Sequence, residues 1–402
     1  MSTVRREAVI VGAGPVGLLT ALGLARQGVE VTVLDSEPAV VRSPRAAVYF
    51  HTTISILRKL GLSDEAHAIG LSSTEFMMHW LETGERVSSD MRDALEPGQE
   101  FDHNLHFGQH ILAELVMRHL ARLPRTEVLW NHTVKALAQT DGGARLVVDT
   151  DHGEVIFEAD WVIGTDGARS TVRKLVGLPF EGMTWPDRFV ATNIEYPFRD
   201  FGYANANMVV DPVNWCVIGR LGRDDLWRLT YGEDAELDEA SILERLPERF
   251  AAILPDPSVP YRIDNFSPYR VHQRCAPSFR VGRVLLAGDA AHACNPCGGL
   301  GLTGGVIDAD TLSDTLGAVI RGRADPSVLD FYAQERRRVF VEVTSPMSAN
   351  FKRLLSEADP ERRAQDKAGM FAQAGHGHSD VRASSLAELI KGAAMPVEPP
   401  PA

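Results

Sequence analysis

Three separated glycine-bearing segments carry the residue types and spacings that suggest chemistry. They are Gly12-Ala13-Gly14-Pro15-Val16-Gly17, Gly164-Thr165-Asp166-Gly167 and Gly288-Asp289-Ala290-Ala291-His292. The first has the GxGxxG spacing of a dinucleotide site, in which each glycine has its own task. Gly12 allows a tight turn, Gly14 lets the backbone approach a pyrophosphate, and Gly17 lets a helix pack closely on a strand. The alternative is a glycine-rich turn that binds no ligand.

The flanking residues favour the dinucleotide site. The apolar run Ala8-Val9-Ile10-Val11 predicts a strand before the glycines, and Pro15-Val16-Gly17-Leu18-Leu19 predicts a helix whose N-terminus faces the phosphates. A second apolar strand, residues 29–34, ends at Asp35, whose carboxylate is placed to accept a ribose hydroxyl. The residues predicted to contact the dinucleotide here are Gly12, Ala13, Gly14, Pro15, Val16, Gly17, Asp35 and Ser36.

Further elements must position the other two segments. Apolar and alternating runs predict helices at residues 53–61, 109–120 and 303–320, antiparallel strands at 127–130, 144–149 and 154–157, and buried parallel strands at 161–164 and 284–287. Between residues 186 and 270 the residue pattern changes. It becomes a series of strand-like runs at 189–196, 207–210, 215–221 and 226–231, separated by turn residues. This run of strands predicts a separate sheet that packs over the nucleotide domain.

We therefore predict an α/β fold: a Rossmann-like domain interleaved with a mixed β-sheet domain, plus C-terminal helices. The predicted boundaries are 1–185 for the nucleotide domain (with 72–106 contributing to the substrate domain), 186–270 for the substrate-binding sheet, 271–325 for the returning nucleotide segment, and 326–402 for helices and a loosely attached tail.

Composition narrows the class of partner. The net charge of -13 over 402 residues argues against nucleic acid or an anionic membrane, since both favour a basic surface. Arg5-Arg6 followed by residues 8–25 resembles a signal peptide, but the glycines at 12, 14 and 17 are better explained by a nucleotide fold. We predict no signal peptide, no membrane span and a cytoplasmic location.

The cysteines do not predict a metal site. Cys294-Asn295-Pro296-Cys297 has C-x-x-C spacing, but zinc needs two more ligands, and Cys216 and Cys275 are not a second pair with metal spacing. A redox dithiol is the alternative; we favour small residues filling a tight loop. His376 and His378 lie in a polar tail, where a solvated loop is expected.

Taken together, the motifs resemble the single-component, FAD-dependent aromatic hydroxylases, the flavoprotein monooxygenase group that includes para-hydroxybenzoate hydroxylase. The resemblance covers roughly residues 5–355. Its middle signature is Gly164-Thr165-Asp166-Gly167-Ala168-Arg169-Ser170-Thr171-Val172-Arg173, and its late signature is Gly282-Arg283-Val284-Leu285-Leu286-Ala287-Gly288-Asp289-Ala290-Ala291-His292. Arg45 and Gln109 also match positions that touch FAD in the family.

The resemblance implies roles for the late segment. Asp289 would hydrogen-bond the ribitol, with Gly288 leaving room for it, and the loop from Pro296 to Gly299 would lie along the isoalloxazine edge. A helix beginning near Leu302-Thr303 would point its N–H groups at the flavin N1–C2=O locus, where negative charge develops. Thr303 stands where the family most often has Asn and would cap that helix.

The implied reaction uses NADH or NADPH to reduce FAD. Reduced FAD and O2 then give a C4a-hydroperoxide that hydroxylates an electron-rich aromatic or heteroaromatic small molecule. NAD(P)H would bind without a domain of its own, with help from Asp166 and Gly167. Alternatives are another FAD-dependent oxidoreductase, such as an epoxidase, or a non-catalytic FAD-binding module. A monomer or homodimer is expected.

The substrate face is less determined by the sequence. Val48, Tyr49 and His51 are expected to approach the ring, together with inward residues of the strands at 215–221 and 226–231. Removing a phenol proton activates the ring, so a His or Tyr relay would help. The candidates are His51, Tyr203, Arg220 and Tyr231, and each has a structural alternative as a buried tyrosine or a sheet-edge arginine. The substrate, the ring position and the preference for NADH or NADPH stay open.

Overall fold

The computed structural model describes residues 3–94, 100–375 and 389–397. Its strands, in chain order, are β1 (Thr3–Val11), β2 (Val31–Leu34), β3 (Val48–Tyr49), β4 (Leu71–Ser73), β5 (Glu75–Trp80), β6 (Arg86–Asp90), β7 (Asn104–His106), β8 (Thr126–Leu129), β9 (Thr133–Thr140), β10 (Gly143–Thr150), β11 (Gly153–Gly164), β12 (Glu181–Glu195), β13 (Ala206–Val210), β14 (Cys216–Arg220), β15 (Leu226–Asp234), β16 (Arg262–Cys275), β17 (Arg280–Val281), β18 (Val284–Leu286) and β19 (His292–Ala293).

The helices, in chain order, are α1 (Pro15–Arg26), α2 (His51–Lys59), α3 (Ser63–Ile69), α4 (Gln109–Leu120), α5 (Thr171–Leu175), α6 (Ile242–Ile253), α7 (Leu300–Ile320), α8 (Val328–Val339), α9 (Ser345–Ser356) and α10 (Pro360–Gly375). A π-helical segment, Phe340–Thr344, joins α8 to α9. None of the described helices combines the length and apolarity needed to cross a bilayer.

The nucleotide sheet runs in the order β17-β18-β11-β1-β2-β8, and its centre is parallel. β1 is apolar and fully buried from Ala8 to Ile10, as a central parallel strand must be. The predicted parallel strands at 161–164 and 284–287 are confirmed as the end of β11 and as β18. The antiparallel pairing predicted for 127–130 is wrong: β8 pairs parallel with β2, because α4 intervenes as a crossover.

A second sheet has the order β19-β16-β12-β15-β14-β13-β5-β6 and is largely antiparallel. Successive residues of a strand point to opposite faces, so the sheet has two distinct surfaces. One face packs under α6 around Leu229, Leu246 and Phe250. The other carries Arg228, which hydrogen-bonds the Arg45 backbone of the nucleotide domain. The predicted α/β fold with a second, mixed sheet is confirmed.

The C-terminal part is anchored more firmly than a loose tail. Ile390 is only 2% exposed, and the Arg336 guanidinium of α8 donates to its carbonyl oxygen at 2.9 Å and to that of Lys391 at 3.0 Å. The expectation of a loosely attached tail is therefore wrong for residues 389–397. His376 and His378 lie outside the described residues.

Candidate active site

The turn between β1 and α1 places its three glycines in three different environments. Gly12 has φ +108°, and a Cβ there would lie 2.5 Å from the Thr165 carbonyl oxygen. A Cβ on Gly17 would lie 2.0 Å from the Gly12 carbonyl oxygen, whereas a Cβ on Gly14 would have no atom of the described residues within 4 Å beyond its own chain neighbours. Packing within the protein therefore requires glycine at 12 and 17. The exposed Gly14 instead lets a ligand approach the backbone.

The start of α1 is suited to an anion. Pro15 is the first helical residue, Gly14 is the N-cap, and no side chain caps the helix. The N–H groups of a first helical turn lack intrahelical acceptors, so they and the helix dipole attract a phosphate. Buried Ala13 and half-buried Val16 complete the turn. The phosphate contacts stay a prediction, and the geometry is the one they need.

Asp35, at the end of β2, holds the glycine turn in place. Its carboxylate accepts hydrogen bonds from the Ala13 N–H at 2.6 Å and from the Glu37 N–H at 2.9 Å. A carboxylate has about four acceptor sites, so a ribose hydroxyl can still donate to it. Ser36 is exposed beside it. The ribose contact stays a prediction for both residues.

The middle motif braces the same turn. The Thr165 hydroxyl donates to the carbonyl oxygens of Val11 and Gly12 at 3.0 and 2.9 Å. The Asp166 carboxylate accepts from the Thr171 and Val172 N–H groups at 2.7 and 3.0 Å and thereby stabilises the start of α5. These bonds occupy acceptor sites of the Asp166 carboxylate within the motif itself. Help from Asp166 and from Gly167, which has φ +75°, in binding NAD(P)H stays a prediction.

The late motif carries a carboxylate, Asp289, to which the described residues donate no hydrogen bond, and this side chain is exposed. Desolvation raises the pKa of the Asp289 carboxylate, and the charges of His292 and Arg45 oppose the shift. We call the region of the exposed residues Gly14, Arg45, Asp289 and Pro296, at the starts of α1 and of the loop before α7, the cofactor cleft.

A buried ion cluster lies directly behind this motif. Asp308 of α7 is fully buried and contacts the His292 Nε2 and the Arg336 Nε, each at 2.7 Å. It also accepts the Gly288 N–H at 2.9 Å. Burial by itself would raise the pKa of Asp308, but attraction to His292 and Arg336 holds that pKa below its usual value. Sequence reasoning missed this cluster; the only signal was a carboxylate within an apolar helix.

The start of α7 corrects one prediction. The helix begins at Leu300 with Gly299 as its N-cap residue, so a start near Leu302-Thr303 is wrong by about one half-turn. The Thr303 hydroxyl does not cap the helix, because it donates backward to the Gly299 carbonyl oxygen at 3.0 Å. The N–H groups available to a ligand are those of Leu300, Gly301 and Leu302. Gly299, with φ +69°, makes this sharp entry possible.

Buried side chains hold the loop before α7 in place through hydrogen bonds. Asn295 is fully buried; its amide donates to the Gln273 side chain at 3.2 Å, and its oxygen accepts the Cys297 N–H at 3.1 Å. Cys297 is also fully buried, whereas Pro296 is exposed on the cofactor cleft. All four cysteines are free thiols. Burial raises the pKa of the Cys294 and Cys297 thiols to about 12, so neither is a thiolate near neutral pH.

Three other predicted residues lie beside the cleft. The exposed Arg45 guanidinium is 5.7 Å from the centre of the Tyr269 ring. Gln109 begins α4 and is half-buried. His51 begins α2 and is buried, next to Phe50, whose ring lies 3.3 Å from where a Cβ of Gly299 would be. Cofactor contacts by Arg45 and Gln109, and a substrate contact by His51, stay predictions.

The other three predicted substrate residues face away from the cleft. Tyr231 packs under α6, 5.4 Å from the Arg249 guanidinium. Arg220 bonds the backbone of its own turn at Arg223, and Tyr203 stacks on His79 at 4.2 Å. Arg220 and Tyr231 lie on the face of the sheet opposite Arg228, and Tyr203 precedes β13, so these contacts give no support to the prediction that Tyr203, Arg220 and Tyr231 contact substrate.

The residue on the cleft face of β15 is Arg228, which sequence reasoning missed. Its Nε donates to the Asn193 side-chain oxygen at 2.8 Å, and a second N–H donates to the Arg45 carbonyl oxygen. Burial lowers its pKa to about 10. The signal was a lone arginine between Trp227 and Leu229, at the alternate position of an apolar strand.

The cleft fits FAD. Gly14 lets a pyrophosphate approach, the N-termini of α1 and α7 attract negative charge, and Asp289 offers an acceptor for which the described residues supply no donor. Such a long cofactor is held by several distant segments, as these are.

Comparison with known proteins agrees with this geometry. The sequence model of a family described as an FAD binding domain matches residues 5–346. The chain is 45% identical over 377 residues to para-nitrophenol 4-monooxygenase of Pseudomonas sp. (strain WBC-3), covering 93% of each protein. It is 40% identical over 365 residues to 6-hydroxy-3-succinoylpyridine 3-monooxygenase of Pseudomonas putida (strain DSM 28022 / S16), covering 90% of this chain and 92% of that one.

The fold is shared as well. The crystal structure of p-nitrophenol 4-monooxygenase from Pseudomonas putida DLL-E4 superposes with a TM-score of 0.93 at 43% identity. The match covers 98% of this chain and 100% of that one, so sheets, cleft and C-terminal helices all have counterparts.

Proposed function

The chain belongs to the single-component FAD-dependent aromatic hydroxylases, and we propose that its substrate is a phenol or hydroxypyridine with a substituent para to the hydroxyl group, hydroxylated at the substituted carbon. FAD, when bound, supplies the redox and oxygen-activating chemistry, and NAD(P)H is the reductant typical of the family. A cytoplasmic location and a monomeric or homodimeric state are part of this proposal.

One observation carries the choice of substrate. The two relatives at 45% and 40% identity have names that describe the same geometry on different rings. In para-nitrophenol, position 4 bears the nitro group opposite the hydroxyl; in 6-hydroxy-3-succinoylpyridine, position 3 bears the acyl group opposite the hydroxyl. Both names assign oxygenation to the substituted position. What the relatives share is this arrangement rather than a particular ring or substituent.

The residues of this chain have separable tasks in such a reaction. The first turns of α1 and α7 would hold negative charge on the cofactor through backbone N–H groups. Asp289 and Asp35 would accept hydrogen bonds from hydroxyl groups of the cofactor and so orient it. The cleft face of the second sheet covers the substrate ring and excludes water, which strengthens electrostatic interactions with the ring.

A substrate panel tests the proposal. Oxidation of NADH and of NADPH is measured with p-nitrophenol, 6-hydroxy-3-acylpyridines and the ortho and meta isomers of nitrophenol as controls. Stimulation by the para compounds, with nitrite release from p-nitrophenol, is expected. Stimulation by ortho or meta isomers alone, or product that keeps the para substituent, would overturn it.

A further inference from the structure

Among the described residues, the half-buried Arg228 lacks the counter-ion that the buried Arg188 and Arg336 have. Arg188 lies 2.5 Å from Glu233, and Arg336 lies 2.7 Å from Asp308. Arg228 has no carboxylate within ion-pair distance among residues 3–94, 100–375 and 389–397. A half-buried guanidinium without a protein counter-ion is available to pair with a negatively charged ligand, which gains charge-assisted hydrogen bonds from it.

The neighbours of Arg228 hold it but leave donors uncommitted. A guanidinium has five N–H donors. One bonds Asn193, its partner across the β12–β15 pair, and one bonds the Arg45 carbonyl oxygen. Its Nη2 has no partner among the described residues. These two bonds hold the guanidinium in place and leave its Nη2 donors for a ligand.

Room for a ligand lies beside it. On the other neighbouring strand, Arg228 pairs with Gly219, which has no side chain to cover the guanidinium. The nearest atom to a Cβ at Gly219 would be in Val48, 4.0 Å away. The buried Tyr49 hydroxyl, which feels the charge of Arg228, has no hydrogen-bond partner among the described atoms. A cation and an unpartnered hydroxyl thus lie near a glycine on the cleft face.

We propose that Arg228, held by Asn193, is the subsite that binds the ring oxygen of the substrate as an oxyanion, with the Tyr49 hydroxyl donating a second hydrogen bond. This rests on the proposed function. The phenol releases its proton to water on binding, and the guanidinium stabilises the resulting phenolate. The oxyanion donates electron density to the para carbon, so the same contact selects the substrate and activates the position to be hydroxylated.

The groups that face Arg228 remain in one state during the test. Burial raises the pKa of Tyr269 to about 12 and that of Tyr49 further, so both stay protonated between roughly pH 7 and 9. The pKa of His110, which feels Arg228, lies below its ordinary value. Arg45 is the remaining charge. The tyrosines stay protonated at lower pH as well, and His110 is neutral above about pH 6.5, so a difference in ligand ionisation between the wild type and an Arg228 variant in that range reports on Arg228.

The test uses the holoenzyme without NAD(P)H. p-Nitrophenol changes its visible absorption on ionisation, so titration of the bound ligand gives its pKa, and p-nitroanisole serves as the analogue that cannot ionise. In the wild type, the bound phenol should ionise at lower pH than the free phenol. R228Q should weaken phenolate binding roughly ten- to a hundredfold and leave nitroanisole binding nearly unchanged. R228K, which keeps the charge, should lose less.

R220Q is the matched control, since Arg220 lies on the adjacent strand but faces the other side of the sheet. FAD content after gel filtration and melting temperature show that each variant is folded. An unchanged titration and unchanged phenolate affinity in R228Q would overturn the inference even if the wild type turns over para-substituted phenols. Selective phenolate binding by Arg228 without turnover of any para-substituted phenol would instead reject the proposed function alone.

Discussion

The two walls of the cleft differ in the kind of group that they expose. The wall formed by the nucleotide domain offers backbone to the proposed ligand: the N–H groups of α1 and α7, with glycine required where side chains would collide. The wall formed by the second sheet offers side chains, chiefly Arg228 and Asn193. A backbone wall binds what every member of a family shares, whereas a side-chain wall can be changed one residue at a time.

The largest effect is expected from the support of the backbone wall. Arg336→Met leaves Asp308 buried without its guanidinium and should cost about 3–5 kcal/mol of unfolding free energy, measured by denaturant titration. Arg338→Met, on the same helix but in half-exposed ion pairs, should cost less than about 1 kcal/mol. Equal losses in the two variants would show that the ion cluster does not support this wall.

The same cluster predicts a pH dependence. Because the folded-state pKa of Asp308 lies below its usual value, its contribution to stability is present above about pH 4 and is lost as pH falls toward the folded-state pKa. Arg336→Met raises the folded-state pKa, so less of this stability remains to be lost in acid. The difference in unfolding free energy between wild type and variant should therefore narrow below about pH 4.

A pair of alanine substitutions separates packing from ligand binding within the backbone wall. Gly17→Ala places a methyl group against the Gly12 carbonyl and should cost about 1–3 kcal/mol or more of stability. Gly14→Ala meets no protein atom, so its melting temperature without FAD should be unchanged while FAD affinity falls. Calorimetry with and without FAD measures both. A destabilised Gly14→Ala protein would contradict the distinction.

Asp289→Ala tests a side chain that the backbone wall offers to the cofactor. It should weaken FAD binding by about 1–3 kcal/mol, since a cofactor hydroxyl loses its acceptor. Removing a desolvated carboxylate that has no protein donor should not destabilise the protein without FAD. Absorbance after gel filtration measures retained FAD. Full retention would remove Asp289 from the cofactor site.

The smallest effect is expected on the face of the second sheet that packs against α6. Tyr231→Phe removes a buried hydroxyl that has no partner among the described atoms, so stability should change by less than about 0.5 kcal/mol. KM and kcat should stay within twofold of wild type. A large rise in KM would show that the two faces of this sheet are not independent.

The same contrast explains what could be predicted. The spacing of Gly12, Gly14 and Gly17 predicts their roles, because the backbone geometry of a turn depends on a few residues that are close in sequence. Tyr231 and Arg228 lie three apart, and which of them faces the cleft depends on the strand register, which a one-residue shift reverses. The pairing of Asp308 with Arg336 is likewise set by the packing of α7 on α8, which no local pattern encodes.

The strand order of the nucleotide sheet bears on how the protein is made. β1 lies next to β11, and β11 next to β18, so neighbours in the sheet leave the ribosome far apart in time. The hydrogen bond from Arg336 to the Ile390 carbonyl oxygen likewise forms only after residue 390 has been synthesised. At roughly 5–20 residues per second, synthesis leaves the apolar strand β1 without its complete sheet for on the order of tens of seconds. Nascent chains should therefore need chaperone protection, and we expect the cofactor to bind only after β18 and α7 have left the ribosome.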